Sequence, residues 1–255
     1  MTDSAPRHDP TRDSLWGGAL TLWQPARGHG YRFNLDPVLL SGFASAAEHV
    51  LDLGAGVGVL GVLLLAAKKA ARVTAVEIQS GLADLARRNA AANAELGPLF
   101  VVDGDCRVVA LPRVDAVVFN PPYFKCDAGR AAPESGRDAG RRERHGTLAD
   151  FVACAAAVLL PGGTIAAIVP AARGAELESL LREVGATALR RRLVVPRLGA
   201  PAGHCLLEAT VAGRPSAGAH SAPLLDEPAL VVHVGAGREF SPEVRAYLRM
   251  PVEGA

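Results

Sequence analysis

A doubly wound α/β domain is the expected fold of this sequence. It should contain a mostly parallel seven-stranded sheet, helices on both faces and an antiparallel strand pair at the C-terminal end. Three observations carry this. From Val50 onward, short and continuously apolar runs alternate with helix-length segments, as in parallel strands buried on both faces. The first run breaks at Gly54, Gly56 and Gly58, where the chain must turn sharply into a helix. The last two runs are joined by Pro-Arg-Leu-Gly-Ala-Pro-Ala-Gly, too short for a helical crossover, so they should pair antiparallel.

The elements follow in order. Residues 1–14 are polar and proline-bearing and are expected to form a flexible tail. Residues 15–48 read as a β-hairpin with a glycine turn, then a helix starting near Asp36-Pro37, where Asp caps and Pro pre-sets φ. The main domain should span 49–212. Its strands are Val50–Leu53, Val73–Val76, Leu99–Asp103, Asp115–Phe119, Thr164–Val169, Arg190–Val195 and His204–Val211. Its helices are Val57–Ala70, Gly81–Ala94, Leu148–Leu160 and Glu176–Val184. Residues 213–255 should form an extension packed on the same domain. Within it, Arg214–Leu225 reads as a surface loop, Leu230–Val234 as a candidate edge strand and Pro242–Leu248 as a short helix.

Composition narrows the function classes. Hydrophobic residues make up 49% of the 255 and charged residues 21%, enough for a sizeable core and against global disorder. The formal net charge is +1, so any nucleic-acid contact must come from a local patch rather than a basic coat. Cys106, Cys126, Cys154 and Cys205 have no metal-binding spacing and read as reduced thiols, and no metal is expected. With no secretory or membrane-spanning pattern, the expectation is a soluble cytoplasmic protein, monomer or homodimer.

The glycine turn points to a cofactor. Its spacing is Gly-x-Gly-x-Gly, with Val59 where a dinucleotide fingerprint wants a third glycine or alanine. Glu77 ends the second strand roughly 20 residues downstream, where a carboxylate accepts from both ribose hydroxyls of a nucleoside. Asp52, at the loop mouth, suits a ligand carrying a sulfonium and an ammonium better than one carrying a pyrophosphate. These features together favour S-adenosylmethionine. The candidate cofactor residues are Asp36, Asp52, Gly54, Ala55, Gly56, Gly58, Glu77, Ile78, Asp105, Cys106 and Asn120. Asp105 is placed either to meet the cofactor's adenine amine or to be a solvated turn carboxylate.

Phe119-Asn120-Pro121-Pro122-Tyr123 follows the fourth strand. Ligands of open parallel sheets bind beyond the carboxyl ends of the strands, so Asn120 should open onto the crevice of the glycine turn. An aryl amine is a poor nucleophile because its lone pair is delocalised. The Asn120 side-chain carbonyl and the Pro121 backbone carbonyl would each accept one N–H. They would hold the nitrogen and stabilise its developing positive charge. Pro121 and Pro122 stiffen the loop, and Tyr123 offers a ring for a flipped base. Asn120, Pro121, Pro122 and Tyr123 are therefore the candidate catalytic residues.

At this point the chain resembles a known family. Val-Leu-Asp-Leu-Gly-Ala-Gly-Val-Gly, Ala-Val-Glu-Ile-Gln-Ser, Val-Phe-Asn-Pro-Pro-Tyr-Phe and Leu-Leu-Pro-Gly-Gly-Thr resemble the small-domain adenine-N6 methyltransferases of bacterial RNA. Within these, the nearest likeness is to the family acting on adenine-37 of valine tRNA. It runs from about Gln24 to Val211 and includes Phe33-Asn-Leu-Asp36-Pro-Val-Leu-Leu and Ala86-Arg-Arg-Asn89. The resemblance implies a Rossmann-like class I methyltransferase fold, Asn120 to Tyr123 as the amine-binding motif, and Gly54, Gly56 and Glu77 at the cofactor. It also implies an RNA substrate, with tRNA first. The segment Phe124–His145 is unusually rich in Arg for the family, and Gly146 stands where an acidic residue is usual.

Lys125, Arg130, Arg137, Arg141, Arg142 and Arg144 crowd the segment after the catalytic motif and are candidates for RNA phosphate contact, although Glu134, Asp138 and Glu143 are interleaved. Arg190, Arg191, Arg192 and Arg197 form a second cluster. Competing readings are glutamine N5-methylation of protein and guanine-N2 methylation of rRNA, which use related Asn-Pro-Pro motifs. DNA adenine methylation lacks a segment long enough for target recognition. A non-catalytic RNA-binding module would be marked by failure to bind the cofactor.

Overall fold

The hairpin is built from β1 (Thr11–Leu15) and β2 (Leu20–Gln24), paired antiparallel from Thr11↔Gln24 to Leu15↔Leu20. Gly17 and Gly18 carry the turn at φ +64 and +97. It begins earlier than the sequence suggests, because Thr11–Ser14 reads as tail. These residues are polar and only half-buried or exposed. Their strand is fixed by pairing to β2, and Arg32 reinforces it by donating to Thr11 and Asp13. The chain then enters α1 (Asp36–Phe43) at Asp36-Pro37, as expected.

The computed structural model describes residues 9–29, 32–121, 146–211 and 223–249. Within these, strand and helix alternate through β3 (Ala47–Leu53), α2 (Val59–Ala66), β4 (Ala70–Glu77), α3 (Ser80–Ala92), β5 (Leu99–Asp103) and β6 (Val114–Phe119). After residue 146 come α4 (Leu148–Val158), β7 (Leu159–Pro170), α5 (Gly174–Glu183), β8 (Ala186–Val195) and β9 (His204–Val211). The C-terminal part adds β10 (Leu225–Val231) and α6 (Pro242–Tyr247). The helix α2 is shorter than the apolar run predicts. Gly58 at φ +76 delays its start, and Lys68 at φ +56 ends it.

The main sheet runs β10-β8-β9-β7-β6-β3-β4-β5. β3, β4, β5, β6 and β7 are parallel, and β9 pairs antiparallel with both β7 and β8. The predicted seven strands are present, and the edge adds an eighth, so the sheet has eight strands. That edge strand, β10, lies parallel to β8 with a register break between Glu227 and Leu230. The break holds Pro228, tolerated because an edge strand needs no donor on its outer side. β10 starts at Leu225, ahead of the apolar run at Leu230. Its first residues pair through charge, Asp226 and Glu227 lying opposite Arg191 and Arg192 of β8.

Alternation along the strands divides the core. Leu51, Leu53, Val117 and Phe119 face α4 and α5, while Val50, Ala116 and Val118 face α1 and α2. The hairpin buries Leu20 and Leu22 against Val57, Val62, Leu63 and Leu82. It is therefore seated directly over the glycine turn. No helix among the described residues is long and apolar enough to cross a membrane.

Candidate active site

The site lies where β3, β4 and β6 end side by side. Leu53 pairs with Val76 of β4 and with Phe119 of β6, so the glycine turn, Glu77 and Asn120 leave the sheet at one edge. Gly54, Gly56 and Gly58 have φ of +70, +57 and +76, which L side chains adopt only with strain. The turn is pinned to β4, since Gly54 and Ala55 both donate N–H to the Val76 carbonyl.

Gly54 has a second reason to be glycine. A Cβ there would lie 2.9 Å from the Phe151 ring. Phe151 belongs to α4 and meets Phe119 at a ring separation of 5.7 Å. One buried ring therefore packs against both the glycine turn and the strand that ends at Asn120. The cap of α4 sets this ring in place. Thr147 accepts from the Asp150 N–H, and Asp150 accepts from the Thr147 N–H at 2.7 Å. Gly146 precedes that cap at φ +81, a backbone conformation that favours glycine. Sequence reading missed Phe151; an aromatic one turn into the helix that follows the Asn-Pro segment is its only trace.

The structure brings most of the cofactor candidates together. Glu77 is buried, with Oε2 accepting from the Gly56 N–H at 2.8 Å and Oε1 from the Gln79 N–H at 2.9 Å. A carboxylate has about four acceptor positions, so capacity remains for hydroxyl donors. Ile78 beside it is 37% exposed, a flat apolar side chain at the rim suited to a nucleobase face. Asp52 is buried, and its Oδ2 has no hydrogen-bond partner among the described residues. Burial pushes its carboxyl up to about 7, the nearby Glu77 charge pushes the same way, and a bond from the Gly61 backbone opposes them. An orphaned acidic acceptor beside a second carboxylate fits a cationic ligand and would not fit a pyrophosphate. The donor set therefore fits S-adenosylmethionine.

Two further candidates have side chains engaged within the chain. The Asp105 carboxylate takes three contacts from the Arg107 side chain, at 2.9, 3.0 and 2.6 Å. Arg107 thereby holds it below the usual carboxylate range. It is a partly exposed turn carboxylate, which also accepts from the Arg107 backbone N–H at 2.9 Å. Cys106 turns its thiol to Cys154 and packs on the core, because the chain after Asp105 folds back and bonds Val108 and Val109 to the Asp105 carbonyl. Asp36 sits at the first turn of α1, buried, bonded by Asn34 at 2.7 Å and 3.8 Å from His204 Nε2. His204 carried no sequence pattern, and the fold alone brings it there.

Asn120 is half-buried and Pro121 buried. Pro122, Tyr123, Lys125, Arg130, Arg137, Arg141, Arg142 and Arg144 lie outside the described residues. The second arginine cluster is engaged internally. Arg190 meets Glu208 at 2.6 Å and Glu227 at 3.1 Å. Arg191 meets Asp226 at 2.7 Å, Arg192 meets Glu243 at 2.5 Å, and Arg197 donates to the carbonyls of Gly235 and Gly237. These side chains hold the C-terminal segment to β8.

A doubly wound sheet of this strand order, with a glycine turn, an acid closing the neighbouring strand and Asn-Pro closing the strand on the other side, defines a Rossmann-type methyltransferase domain. Residues 36–191 match the family model described as methyltransferase small domain. The chain belongs to that family. A relative from Porphyromonas gingivalis W83, named tRNA1(Val) (adenine(37)-N6)-methyltransferase, is 32% identical over 183 residues, covering 67% of this chain and 68% of its own. One from Aeromonas hydrophila with the same name is 31% identical over 175 residues, covering 68% and 73%. Among solved structures, a predicted O-methyltransferase from Agrobacterium tumefaciens aligns with a TM-score of 0.63 at 26% identity, over 85% of this chain and 98% of that one. The tRNA m1G37 methyltransferase of M. jannaschii shares the fold, with a TM-score of 0.54 at 18% identity, over 83% and 59%.

Proposed function

We propose that this chain transfers a methyl group from S-adenosylmethionine to the N6 exocyclic amine of an adenine in RNA, with tRNA as the substrate class. The observation that carries this reading is the Asn120-Pro121 step at the end of β6, one strand from Gly54 in the same edge of the sheet. It agrees with the activity named for the Porphyromonas and Aeromonas relatives.

The chain's own residues supply binding and positioning. The Asn120 side-chain carbonyl and the Pro121 backbone carbonyl accept the two amine hydrogens. They turn the nitrogen lone pair away from the ring and stabilise the charge that grows on it. The fixed φ of Pro121 keeps its carbonyl aimed before substrate arrives. Glu77 accepts from the ribose hydroxyls of the cofactor, Asp52 faces its cationic end, Ile78 lies against its base, and the glycine turn lets backbone approach closely. When bound, the cofactor supplies a methyl group on a positively charged sulfur. Tyr123 is the proposed stacking surface for the adenine. Lys125, Arg130, Arg137, Arg141, Arg142 and Arg144 are proposed phosphate contacts.

The test supplies labelled S-adenosylmethionine to total tRNA, rRNA and protein, with wild type and Asn120→Ala, followed by nucleoside mass spectrometry. The expected result is N6-methyladenosine in tRNA, reduced roughly 100-fold or more in the variant with cofactor affinity retained. Label in protein glutamine, or in guanine of rRNA, would overturn it in favour of those activities.

A further inference from the structure

Most described arginines of the C-terminal part are tied to carboxylates or carbonyls, but two near the N-terminus are not. Arg12 on β1 and Arg88 on α3 are exposed and have no acidic partner among the described residues. They flank one aromatic side chain. Arg12 lies directly across the hairpin from Trp23, so both project from the same face, and Arg12 Nη2 donates to Thr21 on that face at 3.2 Å. The Arg88 guanidinium lies 3.3 Å above the centroid of the Trp23 ring. The nearest acid on α3, Asp84, is bonded to Arg87 instead at 2.7 Å.

The patch is held in place relative to the glycine turn. Asn89 accepts from the Trp23 N–H at 2.6 Å and donates to the Trp23 carbonyl at 3.0 Å. The same amide donates to the Val57 carbonyl, inside the glycine turn, at 2.8 Å. Asn93 repeats the pattern one turn later, accepting from the Thr21 N–H and donating to the Thr21 carbonyl. The hairpin face is thus bolted to both α3 and the cofactor turn.

We propose that Arg12, Arg88 and Trp23 form a docking surface for the sugar-phosphate backbone of the RNA substrate, an inference that rests on the RNA reading above. Charge complementarity selects the occupant, since two uncompensated guanidiniums on a neutral-amide scaffold call for a polyanion. The indole holds the Arg88 guanidinium flat and limits its rotamers. Its N–H edge stays available to phosphate oxygens at reduced entropic cost. Because Asn89 ties this face to Val57, RNA bound here is positioned relative to the cofactor turn.

The test measures tRNA affinity by filter binding across a range of salt for wild type, for Arg12→Gln with Arg88→Gln, and for Arg72→Gln, an exposed arginine at the start of β4. Cofactor affinity is followed in parallel by calorimetry, to show that each variant is folded. The double variant should bind tRNA about tenfold more weakly, with a salt slope lower by about 2, one for each phosphate that is no longer neutralised. Arg72→Gln should stay close to wild type. A loss below about threefold in the double variant, or an equal loss in Arg72→Gln, would overturn the docking surface and leave the RNA reading standing. If wild type itself fails to bind or methylate tRNA, the RNA reading falls and the docking surface with it.

Discussion

The N-terminal hairpin is fastened to α3 by two asparagines, whereas β10 and α6 are fastened to β8 by three arginines. Asn89 and Asn93 each satisfy both backbone groups of one β2 residue, so they join strand to helix without using charge. Arg190, Arg191 and Arg192 instead meet Glu208, Glu227, Asp226 and Glu243. Both flanks add a unit to the same domain. One consumes its cations in the joint, and the other leaves Arg12 and Arg88 facing outward. Counting arginines in a sequence therefore says little about where a polyanion binds. What matters is which of them the fold has already neutralised.

The largest effect should come from cutting the charged joint. Arg190→Ala takes the paired guanidinium from the buried Glu208 carboxylate, leaves it the Ser45 hydrogen bonds and the more distant Lys69 charge, and removes the bond to the Phe43 carbonyl. Unfolding by urea should show a loss of about 3 kcal/mol. An unchanged midpoint would mean that Ser45, Lys69 and water suffice for Glu208. The neutral joint should give a smaller but more local loss. Asn89→Ala leaves Trp23 and Val57 backbone groups unbonded and should cost about 2 kcal/mol. It should also weaken cofactor binding, because Val57 belongs to the glycine turn. Asn93→Ala, which touches only β2 and α3, should destabilise while leaving cofactor affinity in place, and equal cofactor losses in both would break the assigned link.

The smallest effect separates the joints by acid. Arg192 holds the Glu243 carboxyl below its ordinary value of 4.5, so the stability it contributes is complete above that value and is lost as pH falls through the lowered one. Asn89 and Asn93 carry no proton that titrates there. Hydrogen exchange followed from about pH 5 downward should therefore loosen β10 and α6 while β2 stays protected. Simultaneous loss in both would contradict the comparison.

The same contrast explains what was legible in the sequence. Six of the seven central strands could be read because each is an apolar run broken by glycine, proline or an acid, and β8, which carries Arg190, Arg191 and Arg192, could be read from its apolar end and its short link to β9. The glycine turn, Glu77 and Asn120 could be read because their residue types are tied to backbone or to chemistry. β1 and the start of β10 could not, since Thr11–Ser14 and Asp226–Glu227 are polar and become strands only through partners far along the chain. Asp105 was legible as an acid near the crevice, but its capture by Arg107 depends on a turn that composition does not encode. Phe151 and His204 reach the site through helix packing and antiparallel register, and neither leaves a local signature.

Phe151 has a further meaning. Its ring sits against Gly54 and against Phe119, so a single side chain of α4 supports both the proposed cofactor turn and the strand that ends at the proposed amine-binding Asn120. Transfer between two bound molecules tolerates little error in their separation. The spacing of the two strands is set by their direct pairing at Leu53 and Phe119, and the Phe151 ring packs over the place where both end. A smaller residue at position 151 would therefore loosen the support of the glycine turn and of the end of β6 together, even with every hydrogen-bonding group still in place.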